Sequence, residues 1–474
     1  MNPTTLALAA AALLLPGCAP FSPDGGFSAV QQLTRERTGQ TPARLTQPVE
    51  HASAQARTAE LLQAPLSADS AVELAWLNNR GLQASFAALG IAEADLVQAG
   101  RLRGPSLSFG RLAGGGLVEI DRAVIFNLLG LITRPTDTRL EQDRFEQAQL
   151  QAAYEAVGLA AAARRAFFRA VAAQELVKYG AQVKEAADAS NELARRMLQA
   201  GNFSKLQQMR EQAFYADASA QLARAQHQAL AEREGLTRWL GLSGDPQAFS
   251  LPDRLPDLPS APVDAKDAEQ TAMDKRLDVL IARRSAEGLA QTLGATQSTR
   301  WITGLDAGYQ NKSQTGERRQ NGYQIDLELP LFDFGAGPSP RVARAEASLL
   351  QAQHRAVDVA NNARSEVRQS YSAYRTAYDL ARHYRDEVVP LRKRISDENL
   401  LRYNGMLSSV FELLADAKDQ VGSVTGYVEA LRDHWIAATD LQTALTGRSP
   451  DAAGRGNLLS PARVGASAAA SPGH

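Results

Sequence analysis

Few side chains in this sequence can do more than pack. One thiol, Cys18, and six imidazoles, His51, His227, His354, His383, His434 and His474, are the soft ligands in 474 residues. The histidines show no metal-ligand spacing, and a single cysteine cannot close a disulfide within the chain. Asp333-Phe334-Gly335 spells a kinase triplet, but no Gly-rich strand, Val-Ala-Ile-Lys or His-Arg-Asp accompanies it. As the end of Pro-Leu-Phe-Asp-Phe-Gly it reads as a turn leaving a strand. Gly335-Ala336-Gly337 is too short for a dinucleotide fingerprint, and neither a P-loop nor a nucleophile elbow is present. The reading is no catalysis, no cofactor and no metal. A net charge of −1 gives no basis for a nucleic-acid partner, and 44% hydrophobic residues suffice for a large core.

The thiol sits where covalent chemistry is expected. Leu6 to Leu15 form an apolar run too short to span a bilayer, and Leu15-Pro16-Gly17-Cys18 follows. Residues 1–17 therefore read as a secretory signal. A lone cysteine after Leu-Pro-Gly resembles a bacterial lipobox, whose thiol is diacylated before cleavage. The departures are a first segment without Lys or Arg and a proline before the Gly-Cys pair. A plain signal peptide with an incidental cysteine is the alternative.

The elements are dominated by length. From Arg139 to about Gly244 no proline interrupts the chain. Phe145, Ala152, Leu159, Ala166 and Ala173 share one heptad position. Gln149, Ala156, Ala163, Ala170 and Val177 share the position four residues on. That is an a/d seam, mostly alanine, which lets helix axes approach closely. A second seam is expected at Leu206, Met209, Ala213, Ala216, Ala220, Ala223 and Leu230. Between them lies Gly201-Asn202-Phe203-Ser204, so the stretch reads as an antiparallel hairpin with its tip near Gly201. From Arg139 to that tip is about 60 residues, or roughly 90 Å of helix. A long surface helix pair on an ordinary globular protein is the alternative.

Around the hairpin, residues 18–66 read as an extended, surface-hugging segment, and a helix begins at Ser67, its expected N-cap. Strands are expected at Ser106 to Leu112 and Leu117 to Leu128, and Pro135 introduces the hairpin. Pro252, Pro256, Pro259 and Pro262 mark a linker, 251–265. A second copy follows: a helix from Asp267 to Leu293, strands at Trp301 to Gln310 and Asn321 to Phe332, a polar loop at 311–320, then Pro338 and Pro340 before another hairpin. Its seams run through Val342, Leu349, Ala356, Ala363, Ala373 and Leu380 on one helix and Val421, Val428 and Trp435 on the other. Pro390 should kink this copy or open a bulge. The units are thus 67–250 and 266–447, with a disordered tail over 448–474.

The strands bear on the membrane. Tyr323, Ile325, Leu327 and Leu329 alternate with Gln324, Asp326 and Glu328. Such alternation, with aromatics near the ends, suits a strand with lipid on one face and water on the other. Past the signal no apolar run is long enough for a spanning helix, so only a closed barrel could cross a bilayer. Four strands cannot close one, and closure requires oligomerisation. A soluble four-stranded sheet with one wet face accounts for the same alternation.

The duplicated strand–strand–hairpin unit, with YQIDLELPLFDFG at 323–335 leading into the second hairpin, resembles the TolC-like outer membrane efflux proteins from Ser67 to Gly447. The family's tips read roughly Gly-x-x-Ser-x-x-Asp. Here they read Gly201-x-x-Ser204-x-x-Gln207 and Met406-x-x-Ser409-x-x-Glu412, with the glycine displaced to Gly405. The resemblance implies a homotrimer that joins a twelve-stranded β-barrel in the outer membrane lipid of a Gram-negative bacterium to a periplasmic α-barrel. It also implies a passive efflux conduit whose partners are a periplasmic adaptor and an inner-membrane pump. Gly201, Ser204, Gly405, Met406 and Ser409 would then form the adaptor-contacting tips. The gate would lie among Glu412, Gln207, Phe203, Leu206, Leu407 and Phe411, although Glu412 could equally be a solvated coiled-coil flank. Two other classes stay open. An adaptor would have one hairpin and lipoyl-like β segments; a coiled-coil scaffold would explain the helices but not the strands.

Overall fold

A computed structural model describes residues 20–242, 249–330 and 339–449. The signal segment, Cys18, the Asp333-Phe334-Gly335 turn, Pro338 and the tail beyond Ser449 lie outside the described residues.

The first helical hairpin is longer than its periodicity indicated. Helix α5 (Leu128–Gln199) has 72 residues, roughly 110 Å at 1.5 Å per residue. It starts at Leu128 because Asn127 both ends the preceding strand and caps the helix, its side chain accepting from the Gly130 N–H. Pro135 therefore lies inside the helix, not before it. Helix α6 (Lys205–Leu240) returns alongside. On α5 the expected seam holds: Phe145, Ala152, Ala156, Leu159, Ala163, Ala166, Ala170 and Ala173 are buried.

On α6 the expected seam is on the wrong side. Ala218 is buried, with Phe214 and Leu222 half-buried on the same face, while Leu206, Met209, Ala213, Ala216, Ala220, Ala223 and Leu230 are exposed. An alanine-rich helix can carry heptads on two opposite faces, and periodicity does not say which one meets its own partner. Ala373 and Leu380 of the second copy are exposed for the same reason, and Tyr374, Tyr378 and Ala381 are buried instead.

Before the hairpin stand helices α1 (Phe27–Thr38), α2 (Pro48–Leu61), α3 (Ala68–Asn78) and α4 (Arg80–Gly100). The segment expected to be extended is therefore largely helical. Phe27 and Val30 of α1 are buried, with Phe27 edge-on to Phe86 of α4, so tertiary packing overrides weak periodicity. Arg37 fixes α1 further, donating through Nε to the Thr446 carbonyl (2.9 Å) and through Nη2 to the Lys275 carbonyl (2.7 Å). Ser67 caps α3 as expected, accepting from the Ser70 N–H.

The second copy has helices α7 (Ala268–Lys275), α8 (Leu277–Ser298) and α9 (Pro340–His383), a π-helical turn at Tyr384–Val388, then α10 (Val389–Asn404) and α11 (Val410–Thr446). The π-turn is the bulge expected of Pro390: the helix widens just before a residue with no N–H to give. Gly426 on α11 receives it, since a Cβ there would lie 2.7 Å from the Tyr384 ring. The break between α7 and α8 falls at buried Arg276, which pairs with Asp278 (2.8 Å) and with Glu366 of α9.

The proline-rich stretch at 251–265 is packed rather than free. Leu251, Leu255 and Leu258 are buried, and the carbonyls of Pro256 and Pro259 accept from Trp435 and Tyr378. The end of the second unit is packed too: the Arg448 guanidinium lies over the Tyr154 ring and Ser449 donates to Glu366. The expected disordered tail therefore does not begin at Arg448.

His434 of α11 is 1% exposed, against the rings of Tyr374, Tyr378 and Trp435, and its Nδ1 has no hydrogen-bond partner among the described residues. Burial pushes its pKa down from 6.5 to about 4. Between those values the unfolded chain binds more protons, so stability falls as pH drops from 6.5 towards 4, by up to about 3 kcal/mol. Unfolding midpoints at pH 7 and pH 4.5 are expected to converge in His434→Phe. An unaltered pH dependence in that variant refutes the assignment.

Candidate functional site

Two ends of the molecule carry the candidate residues: the hairpin tips and the sheet.

At the first tip Gly201 takes φ +78°, and the chain turns through hydrogen bonds from Gly201 N to the Leu198 carbonyl and from Asn202 N to Met197. Ser204 opens α6 in a reciprocal capping box: its hydroxyl accepts from Gln207 N (3.2 Å), and the Gln207 side chain accepts from Ser204 N (3.0 Å). The second tip repeats this with Ser409 and Glu412. The left-handed position of Gly201 is taken there by Met406, with φ +59°, a strained conformation for a residue with a Cβ. Gly405 has an ordinary φ of −82°, so the displaced glycine does not supply the turn.

Phe203 and Phe411 bring the tips together, their rings stacked at 4.6 Å and 19°. Leu206 and Leu407 point to solvent, and Met406 is 94% exposed. The Glu412 carboxylate lies below its usual pKa, held first by the Ser408 hydroxyl and then by the Ser409 N–H. In one chain the acid is thus an ionised cap at a helix N-terminus. Gln207, at the matching position, makes the same cap without charge.

The sheet consists of strands β1 (Ser106–Gly114), β2 (Leu117–Asn127), β3 (Gly304–Gln314) and β4 (Gln320–Glu328), antiparallel in chain order. The second pair corrects the expected boundaries. β3 starts three residues later than Trp301 and runs on through 311–314, which pair with Arg122 back to Glu119. The loop is accordingly shorter.

Register decides the faces, because opposed residues share one. One face carries Leu107, Phe109, Val124, Phe126, Leu305, Ala307, Tyr309, Tyr323, Ile325 and Leu327. The other carries Ser106, Ser108, Glu119, Asp121, Asp306, Gln310, Lys312, Gln324, Asp326 and Glu328, with Leu112, Leu117, Ala123 and Ile125 as apolar exceptions. On the polar face Asn127 donates to Asp306 and Lys312 pairs with Glu119. β1 and β4 are left with open edges in the single chain.

No helix among the described residues is long and apolar enough to cross a membrane, and no group of three or more metal-ligating side chains occurs among them.

A duplicated strand pair and long helical hairpin, with the two pairs merged into one sheet, is the fold of the TolC-like outer membrane efflux channels. Solved structures that share it include a membrane protein from Pseudomonas aeruginosa (18% identical, TM-score 0.67, 80% of this chain and 93% of that one). The outer membrane protein VceC of Vibrio cholerae is 14% identical, with TM-score 0.65 over 80% of this chain and 96% of its own. The CmeC outer membrane channel of Campylobacter jejuni is 14% identical, with TM-score 0.61 over 86% and 89%. No family model and no curated protein matches the sequence.

Proposed function

We propose that this chain is the outer-membrane conduit of a tripartite efflux system: a homotrimer that carries small molecules or ions passively from the periplasm to the exterior. The observation that carries this reading is the two-faced sheet with open edges. In lipid every backbone N–H and C=O must be paired, so β1 of one protomer has to meet β4 of the next. Three copies of four strands close a twelve-stranded barrel, apolar outside and polar within. The exposed heptad stripe of α6 and the exposed Leu350, Val357 and Leu380 of α9 suit the same symmetry in the helical part. A coiled-coil scaffold accounts for neither the face segregation nor the open edges. The deciding experiment is native mass spectrometry in detergent with planar-bilayer recording. A trimer that conducts is expected; a monodisperse monomer that is soluble without detergent rejects the conduit.

In this assembly the tips form the periplasmic end. Gly201, Ser204, Gly405, Met406 and Ser409 shape the surface offered to an adaptor, and exposed Met406 and Leu407 supply apolar contact. An inner-membrane pump completes the route. Cys18 is the acylated anchor of the mature protein; an intact mass beginning at Ala19 without acyl addition refutes this.

Three copies of Glu412 around an axis oppose the single-chain effect, since like charges raise one another's pKa and favour a cation. Glu412→Gln keeps the capping geometry, because glutamine also serves at that position. It is expected to reduce cation selectivity, read as reversal potential in a salt gradient, whereas Gln207→Ala changes it little. If reversal potential and divalent-cation block are unchanged, Glu412 is a solvated flank. The constriction then belongs to the Phe203–Phe411 pair.

A further inference from the structure

The sheet segregates charge as well as hydropathy. Every carboxylate on the four strands, Glu119, Asp121, Asp306, Asp326 and Glu328, lies on the polar face together with Lys312. The two strand arginines, Arg111 and Arg122, lie on the apolar face. Arg122 occupies the row Phe109–Arg122–Asn311–Asn321, and Arg111 the next row towards the hairpin turns. Within the first row Arg122 donates to the Asn311 side chain (3.0 Å), which donates to Asn321 (2.6 Å). One row on the other side stand Tyr309 and Tyr323, and beyond them only apolar residues.

On the conduit reading, on which this inference rests, that face meets lipid. An arginine there is costly at mid-bilayer and nearly free at the interface. The tyrosine row sets the interface, since aromatic girdles sit at headgroup level. Successive same-face rows are about 7 Å apart. Both arginines therefore stand at or just beyond headgroup depth, on adjacent strands. No strand carboxylate shares their face. The turns they point towards lie opposite the end where the long helices leave, which places them in the leaflet facing away from the helical barrel.

We infer that Arg111 and Arg122, with the Asn311–Asn321 amide row beside them, form a binding site for the phosphate groups of a lipid in that leaflet, repeated three times around the barrel. A guanidinium fork matches phosphate geometry in two hydrogen bonds. Two forks on neighbouring strands suit a headgroup with two phosphates or one phosphate shared between them.

The test uses the full-length trimer in detergent, titrated with diphosphorylated lipid A or its dephosphorylated form and read by native mass spectrometry. Wild type is expected to bind the phosphorylated lipid at least tenfold more tightly. Arg111→Gln with Arg122→Gln should lose that preference, Arg122→Lys should retain part of it, and lumen-side Lys312→Gln should keep it. The trimer mass in each spectrum reports folding. Equal binding of both lipids by wild type, or an undiminished preference in the double variant, overturns the site. Competition by inorganic phosphate at concentrations similar to the lipid's also overturns it, since that describes a free-anion site. Flotation with phosphatidylcholine vesicles separates the two readings. A wild type that fails to float overturns the barrel itself, whereas one that floats without phosphate preference overturns only the lipid site.

Discussion

Arg276→Ala is expected to destabilise the protein by about 3–5 kcal/mol, because it strips the buried Asp278–Glu366 carboxylates of the cation that pairs with both. Arg276 is 1% exposed and bonds Asp278 through both Nε and Nη2 while pairing with Glu366. Its remaining Nη1 faces the carbonyls of Ala363 and Ala444 at 3.5 Å. One side chain thus joins the α7–α8 break to both helices of the second hairpin. Burial already pushes the Asp278 carboxyl up against the pull of Arg276. Without the arginine it rises further, so the variant's deficit should be largest at neutral pH and above, and shrink as pH falls towards the ordinary aspartate range. Arg276→Met with Asp278→Leu and Glu366→Leu should recover much of the loss, since apolar replacement of a whole buried ion group is often neutral. Denaturant midpoints at pH 4.5 and 8 measure both effects. A loss under 1 kcal/mol in the single variant would mean that water reaches the cluster.

The second large effect is on assembly. Ala216→Glu with Ala223→Glu puts two carboxylates on the stripe of α6 that the single chain leaves open, and the proposed trimer should give way to monomers. Burying each charge unpaired costs several kcal/mol, and symmetry triples the count. Gln221→Glu, about 120° around the helix from the stripe, adds charge without entering it and should leave the trimer intact. If the stripe variant remains trimeric, the seam between protomers runs along another face.

That stripe also shows where the sequence stops being informative. Heptads report how many apolar faces a helix has, not which of them is occupied at home. On α5 one seam was legible and correct; on α6 the visible register was the outer one, and the inner face of Phe214, Ala218 and Leu222 went unread. The tip motifs were legible because capping is local: Ser204 with Gln207 and Ser409 with Glu412 are three residues apart. The strands were legible as strands, and alternation separated the two faces of β4, but which faces coincide across the sheet was not legible, because β2 pairs with β3 across an intervening hairpin. The arginines and acids of the sheet could be sorted only after that register was known. The helices between 27 and 61 were missed since their support, such as Phe27 on Phe86, comes from distant chain.

Arg37 ties time as well as space. Its acceptor on Thr446 lies 409 positions further along the chain, so the first helix cannot take its final hold until the last one exists. Folding from the N-terminus can shape the hairpins, whose contacts are local, but cannot lock the first helix to the last. The closing step is a long-range search, slow by the entropy of joining distant ends. A chain that lacks the end of the last helix should therefore keep both hairpins yet leave Arg37 of the first helix without its Thr446 acceptor.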